Sequence, residues 1–139
     1  MMQFIKLRED AILPHRATPH AAGCDIAAVE DTCIPANSRK LVSTGIAWFN
    51  DGSLDNRNIW AKLEPRSSLA CKGIDVGAGV IDNDYKKEIK VLIINNSAED
   101  YHFIRGDRIA QMVIQRYQTA VGETNSAEDR VGGFGSTGK

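Results

Sequence analysis

Near the middle of the chain stands the segment Gly79-Val80-Ile81-Asp82-Asn83-Asp84-Tyr85-Lys86-Lys87-Glu88. It begins in one short apolar run, residues 78–81, and leads into another, residues 89–94. Two apolar runs joined by a charged turn are typical of a tight β-hairpin. The glycines at 77 and 79 leave the strand's amide edge open to a flat ligand. We therefore predict a hairpin with chemistry at its tip; an ordinary acidic hairpin is the alternative.

Two side chains of this segment are candidates for chemistry. Asp82 comes at the end of the incoming strand, where a carboxylate can point into a cleft and orient a water molecule. Tyr85 follows three residues later, and its ring could pack on a sugar or a base.

The composition bounds the class of protein. A chain of 139 residues forms one domain with a single core. Hydrophobic residues make up 42%, charged residues 25%, and the formal net charge is −1. These values argue against a disordered chain and against a general polyanion-binding surface, so no nucleic-acid partner is expected.

Cysteine usage and the N-terminus bear on the compartment. The three cysteines form no CxxC pair and the three histidines are scattered, so a structural zinc site is not expected. We expect the cysteines to be reduced thiols. The first ten residues lack the apolar core of a signal peptide, and no apolar stretch approaches a membrane span. The predicted location is cytoplasmic or otherwise intracellular.

Short runs rich in Val, Ile and aromatic residues recur between turn residues, and helical periodicity is almost absent. This pattern predicts an all-β sandwich or barrel. Residues 33–35 and 39–44 are predicted to pair, and residues 46–49 and 59–63 to form a hairpin with an exposed tip at 50–57. Trp48 and Trp60 are assigned to packing.

Two further stretches are candidates for a binding site. Asp25 lies in a small, apolar stretch and needs a partner, an ion or a backbone turn to cap. Ser67 and Ser68 follow Arg66 and could start a short helical turn that ends at Gly73, giving a phosphate-shaped site; a plain N-cap is the alternative.

Gln111 interrupts a buried apolar strand. A buried amide without a partner costs about 1 to 3 kcal/mol, so a ligand or a backbone group should meet it.

The last part of the chain is different in character. Residues 119–139 are small and polar, and no core can be built from them, so we predict a barrel domain over 1–118 and a mobile C-terminal arm over 119–139. The arm carries Arg130 and Phe134 among hydroxyl and glycine residues, which suits a lid over a nucleotide. A flexible linker is the alternative.

Five blocks appear in a fixed order: Ala22-Gly23-Cys24-Asp25-Ile26, Pro65-Arg66-Ser67-Ser68-Leu69-Ala70, and residues 79–88, 105–114 and 130–138. Together they closely resemble the five motifs of the trimeric dUTPases (dUTP diphosphatases), from about Ala21 to the C-terminus. The resemblance implies a jelly-roll-like β-barrel, a homotrimer with shared active sites, and an Mg²⁺-dependent hydrolysis of dUTP to dUMP and pyrophosphate. That activity limits uracil incorporation into DNA and supplies dUMP for dTMP synthesis.

The resemblance also implies roles for the central block. Asp82 would activate the water that attacks the α-phosphate, and Tyr85 would pack on the deoxyribose. The backbone of Gly79, Val80 and Ile81, with Lys90 across the hairpin, would bind uracil.

The remaining implied roles concern phosphates, metal and the lid. Arg66, Ser67 and Ser68 would form the phosphate-binding turn, Gln111 would contact phosphate or water, and Asp25 would lie near metal-bound water. In the arm, Arg130 would bind the γ-phosphate, Phe134 would stack over uracil, Ser136 and Thr137 would contact phosphate, and Gly135 would take part in substrate binding.

Some positions depart from the family's pattern: Cys24, Ser68 and Lys87 replace its usual residues, and the arm is one residue short after Arg130. Two other functions remain open. A dCTP deaminase would need a glutamate where this chain has Leu92, and a non-catalytic barrel could bind a nucleotide or a protein.

Overall fold

The structure is a computed structural model that describes residues 1–125. Within them the chain forms eleven strands and one four-residue helix. The elements are β1 (Met2–Lys6), β2 (Gly23–Ala27), β3 (Thr32–Ile34), β4 (Ser38–Ser43), β5 (Ile46–Asn50), β6 (Ile59–Glu64), α1 (Ser67–Ala70), β7 (Ile74–Gly77), β8 (Val80–Ile81), β9 (Lys90–Asn95), β10 (Tyr101–Phe103) and β11 (Arg108–Arg116). The all-β prediction is confirmed. No helix in this part of the chain is long and apolar enough to cross a membrane.

The strands pair antiparallel in four small sheets. The largest has the order β2-β11-β6-β8, the next has the order β4-β9-β7, and β1-β5 and β3-β10 form two-stranded pairs. Alternate side chains of a strand point to opposite faces. In β6, Ile59, Ala61 and Leu63 are accordingly buried, while Trp60 and Lys62 face away from the core.

Two predicted strand pairings are wrong. β3 pairs with β10, and β4 pairs with β9, so the neighbouring segments 32–34 and 38–43 do not pair with each other. The predicted hairpin of residues 46–49 and 59–63 does not form either, because β5 pairs with β1 while β6 pairs with β11 and β8. The apolar period marks a strand but carries no information about its partner.

The central hairpin is also different from the prediction. β8 pairs with β6, whereas β9 pairs with β4 and β7, so the two apolar runs around Asp82 belong to different sheets. The pairing of Gly77 with Leu92 shows that β7 is the hairpin partner of β9. Residues 78–89 leave that hairpin to reach β6, which places Asp82 next to the start of β6.

The buried Asn95 fastens the end of β9. Its side-chain amide donates hydrogen bonds to the carbonyl oxygens of Ile34 at 3.0 Å and Glu99 at 2.8 Å, and its Oδ1 accepts from the Ser97 backbone N–H at 2.9 Å. A fully buried amide must be satisfied in this way. The network joins β9 to β3 and to the turn before β10.

Gly79 lies against the backbone of β6. Its carbonyl oxygen accepts a hydrogen bond from the Leu63 N–H at 2.8 Å, and a Cβ at this position would come within 2.5 Å of the Leu63 carbonyl oxygen. At Gly77 a Cβ would meet the Ile94 side chain at 3.0 Å. Both glycines therefore make room for atoms of the protein itself, whereas the sequence suggested that they make room for a ligand.

Replacing Gly79 with Ala should lower the free energy of unfolding by roughly 1 to 3 kcal/mol, because the added Cβ forces β8 away from β6. Thermal unfolding followed by circular dichroism at one protein concentration measures the loss. The matched control is Ala78→Gly, because Ala78 has a φ of 46°. Glycine adopts this φ without strain in the folded chain but has more conformational freedom in the unfolded chain, so the two effects on stability oppose each other. We expect little change in Tm there. An unchanged Tm for Gly79→Ala would contradict the close packing of β8 on β6.

Candidate active site

The segment after β6 forms the turn that the sequence predicted. α1 begins at Ser67, and the turn ends at Gly73, whose φ of 82° is in the left-handed region. Arg66 is the N-cap residue, with an extended backbone and no capping hydrogen bond from its side chain. The alternative of a serine N-cap is therefore wrong. Ser67 and Ser68 are exposed.

One acid and two arginines meet beside this turn. The Asp25 side chain, 16% exposed, lies with Oδ1 3.5 Å from Arg66 Nε and accepts a hydrogen bond on Oδ2 from Arg108 Nη1 at 3.1 Å. Arg66 Nη1 also donates to the Arg108 carbonyl oxygen at 3.2 Å. The prediction that Asp25 needs a partner is confirmed, and the partners are two cations. The three side chains carry a net positive charge, which favours an anion.

Gln111 belongs to the same neighbourhood because β11 lies between β2 and β6 in its sheet. Its register partners are Asp25 on β2 and Glu64 on β6. The side-chain amide donates to the Pro65 carbonyl oxygen at 3.1 Å, so a backbone group meets Gln111 as predicted.

A cavity of about 240 Å³ opens over this cluster. Its lining residues are Arg66, Ser68, Leu69, Lys72, Tyr101, Phe103, Asp107 and Arg108. Three cations face it against one lining acid, a combination that suits phosphate oxygens. Lys72 and Arg108 were missed as site residues in the sequence, where Arg108 lies in the block 105–114 and Lys72 lies two residues after the block that ends at Ala70.

Asp82 borders a second and larger cavity, of about 550 Å³. The lining residues are Arg57, Trp60, Val80, Asp82, Asn83, Asp84 and Tyr117. Trp48 is 2% exposed and packs in the core as predicted, but Trp60 is partly exposed and lines this cavity. The alternation along β6 was the available signal, since Trp60 lies on the face opposite Ile59 and Ala61.

The loop after Asp82 is held in place by its own residues. Asn83 donates from its side-chain amide to the carbonyl oxygens of Asn56 and Ile59, both at 2.7 Å. Tyr85 donates its backbone N–H to the Asp82 carbonyl oxygen at 3.1 Å and its hydroxyl to the Glu88 carbonyl oxygen at 2.8 Å. Its ring is 7% exposed and belongs to the core. The loop is therefore anchored on both sides of Asp84.

Lys90 does not lie across a hairpin from residues 79–81. Its register partner is Ser43 on β4, and its Nζ lies 3.8 Å from Glu88. The predicted pairing across the hairpin is wrong because β8 and β9 belong to different sheets.

The two cavities lie at opposite ends of β6. Ile81 pairs with Ala61, and β8 runs antiparallel to β6, so Asp82 continues away from Arg66. Arg66 follows Ala61 by five residues, which corresponds to roughly 17 Å of extended chain. Within a single chain, the Asp82 carboxylate and the Arg66 guanidinium group therefore lie far apart.

The residues predicted for the lid, Arg130, Phe134, Gly135, Ser136 and Thr137, lie outside the described residues. Residues 119–125 are exposed and follow the end of β11. The division into a barrel domain and an arm stays a prediction.

The family model for dUTPase matches residues 9–138 of this chain. The chain belongs to the dUTPase family. The predicted family is thereby confirmed.

Relatives within the dUTPase family share much of the sequence. The deoxyuridine 5′-triphosphate nucleotidohydrolase of Yarrowia lipolytica is 45% identical over 95% of this chain and 85% of its own length. That of Paramecium bursaria Chlorella virus 1 is 45% identical over 96% of this chain and 94% of its own length. The dUTPase of Staphylococcus bacteriophage 80alpha, solved with dUpNHpp, has a TM-score of 0.77 at 23% identity and covers 100% of this chain and 99% of that one. This likeness confirms the jelly-roll-like dUTPase fold.

The dUTPase family implies Mg²⁺, and the residues around Asp25 can be tested for it. Asp25 already contacts two guanidinium groups, so direct ligation would take the carboxylate from both. Within residues 1–125, the one close group of three metal-ligating side chains lies elsewhere, at Cys33, Asp100 and His102. Mg²⁺ at nucleotide sites is commonly held by phosphates, water and one or two carboxylates. The site therefore fits an Mg²⁺ that arrives with a triphosphate and meets Asp25 through water.

Proposed function

We propose that the chain hydrolyses dUTP to dUMP and pyrophosphate, with the Asp82 carboxylate directing the attacking water at the α-phosphorus. The observation that carries this proposal is the position of Asp82 at a cavity with Trp60, Asn83 and Tyr117, large enough for a nucleoside. The relatives named above as deoxyuridine 5′-triphosphate nucleotidohydrolases support the substrate.

In the proposed reaction, Asp82 accepts a proton from the water while the water oxygen forms a bond to the α-phosphorus. The bond from the α-phosphorus to the α,β-bridging oxygen breaks, and pyrophosphate leaves with the electron pair. Arg66 and Arg108 stabilise the phosphate oxygens, and Ser67, Ser68 and Gln111 add donors. Asp25 would help to hold Mg²⁺ through water, and the bound ion would supply neutralisation of phosphate charge.

We propose that the active site is completed between chains of a homotrimer. A water bridge between Asp82 and a phosphate oxygen spans about 6 Å, as two hydrogen bonds in series. In the same chain, Arg66 lies roughly 17 Å along β6 from Ala61, the residue that pairs with Ile81. Its guanidinium group is therefore too distant to hold that phosphate group. The Arg66 guanidinium group of a neighbouring chain would supply this contact to the phosphate group.

The remaining residues follow the predicted roles. The backbone of Gly79, Val80 and Ile81 would bind uracil, and Tyr85 would pack on the deoxyribose. From the arm, Arg130, Ser136 and Thr137 would contact phosphate, Gly135 would take part in substrate binding, and Phe134 would stack over uracil; a stacked base contributes about 1 to 3 kcal/mol. In the cell, this activity would keep uracil out of DNA and supply dUMP.

The test measures pyrophosphate release from dUTP, dTTP, dCTP and UTP with Mg²⁺. We expect dUTP to be hydrolysed fastest, and dTTP slower by on the order of a hundredfold or more, because a tight backbone edge excludes the methyl group better than a loose apolar pocket does. Ammonia release from dCTP would instead indicate a deaminase. That outcome is opposed by Leu92, an apolar side chain that packs beside Gly77. Nucleotide binding without pyrophosphate release would indicate a non-catalytic barrel.

A further inference from the structure

We propose that Cys33, Asp100 and His102 form a site for a Zn²⁺-class divalent cation, separate from the active site. Their ligand atoms, a thiol sulfur, a carboxylate oxygen and an imidazole nitrogen, all lie within 4.8 Å of one another. Nothing in the proposed hydrolysis uses these residues.

Strand pairing brings the thiol and the imidazole together. Cys33 on β3 and His102 on β10 are direct register partners, and Cys33 Sγ lies 3.9 Å from His102 Nε2. In a tetrahedral site with bonds of about 2.3 Å to sulfur and about 2.0 Å to nitrogen, these two atoms are about 3.5 Å apart. A closure of a few tenths of an ångström therefore places both atoms on one metal ion.

Asp100 supplies the third ligand from the turn before β10. The Ala36 backbone N–H donates to Asp100 Oδ1 at 2.9 Å, which orients the carboxylate. Hydrogen bonds of this kind commonly hold metal ligands in place. Asp100 and His102 are exposed, so an ion can reach the group from solvent, and a fourth position is left for water.

The donor set selects the kind of cation. One thiolate, one imidazole and one carboxylate suit Zn²⁺ and Co²⁺, whereas Mg²⁺ and Ca²⁺ prefer oxygen ligands alone. Binding replaces the thiol proton of Cys33, so one proton is released to solvent.

The position of the site gives the metal a mechanical effect. The β3-β10 pair has three residue pairs, and a metal ion would cross-link its central pair. On the opposite face of β10, Tyr101 and Phe103 lie with ring centroids 4.8 Å apart, and both line the cavity of about 240 Å³ that Arg66 borders. The metal would therefore stabilise the strand that carries one wall of that cavity.

The experiment uses the full chain without an affinity tag, reduced with a non-chelating phosphine and titrated with Co²⁺. We expect one equivalent of Co²⁺ per chain, with a thiolate-to-cobalt charge-transfer band and the visible bands of tetrahedral Co²⁺. Zn²⁺ should displace the signal. In a thermal melt, Zn²⁺ should raise Tm in a concentration-dependent way.

Three variants remove one ligand each: Cys33→Ser, Asp100→Asn and His102→Ala. Each should weaken Co²⁺ binding by on the order of a hundredfold or more, since even outer-shell changes cost ten- to a hundredfold. The charge-transfer band should vanish in Cys33→Ser. Circular dichroism without metal identifies any variant that fails to fold, and the exposed Asp100→Asn provides a second variant for that case.

The matched controls are Cys71→Ser and His20→Ala, which change an exposed cysteine and an exposed histidine that are not among the three ligands. Both should keep the band and its stoichiometry. Absence of the band in the unchanged chain, its persistence in Cys33→Ser, or its loss in Cys71→Ser would overturn the proposal. None of these readouts depends on dUTP hydrolysis.

Discussion

Asp82→Asn should lower kcat for dUTP by on the order of 10² to 10⁴-fold, because an amide fills the same space but cannot accept the proton of the attacking water. Nucleotide affinity should change little. Asp82 lies at the wall of a cavity outside the hydrophobic core, and the hydrogen bond from the Tyr85 N–H goes to its backbone carbonyl, which the substitution keeps. A thermal melt of the variant checks the fold.

Two measurements separate chemistry from binding for this variant. Single-turnover pyrophosphate release gives the chemical rate, and calorimetry with dUpNHpp gives the affinity. The matched control is Asp55→Asn, the same substitution at an exposed acid in the loop between β5 and β6. It should retain full activity. If Asp82→Asn kept more than about half of the original kcat, Asp82 could not be the general base.

Co-expression of Asp82→Asn with Arg66→Gln should restore activity that neither variant has alone. If each site takes Asp82 from one chain and Arg66 from its neighbour, random trimers from equal amounts of both variants contain intact sites at about one quarter of the total. If each site is built within one chain, the mixture has no intact site. Recovery or its absence is therefore close to an all-or-none result.

A second mixture controls for dilution. The double variant Asp82→Asn/Arg66→Gln, co-expressed in equal amount with the unchanged chain, should leave about one quarter of the sites intact if sites are shared, and about one half if they are not. Sedimentation of each preparation checks the trimer. The Arg66 change leaves Asp25 paired with Arg108, which limits any loss of fold. Activity of about one half in this control, with no recovery in the first mixture, would refute the shared site.

Much of the candidate site could be predicted from the sequence because its chemistry is local. The turn after β6 follows from Pro65, the serines and Gly73, and the need of Asp25 and Gln111 for partners follows from their polar side chains in apolar stretches. The partners themselves could not be predicted. Arg108 reaches Asp25, and Pro65 reaches Gln111, only because β11 lies between β2 and β6.

The same reason explains the errors. Strands 33–35 and 39–44 were expected to pair because they are adjacent in sequence, yet β3 and β4 pair with β10 and β9. The expectation that no structural zinc site forms rested on sequence spacing too. Cys33 and His102 are far apart in the chain, and spacing alone gave no reason to combine them.

By itself, the sequence determined the all-β class, the family and the residues able to do chemistry, because alternation and side-chain type are written residue by residue. Only the tertiary structure decided which residues meet. It separated Asp82 from Arg66 along β6, required glycine at 79 against the Leu63 carbonyl, and brought Cys33, Asp100 and His102 together. The physical reason is that antiparallel pairing joins segments distant in the chain, and that pairing is selected by the packing of the whole core.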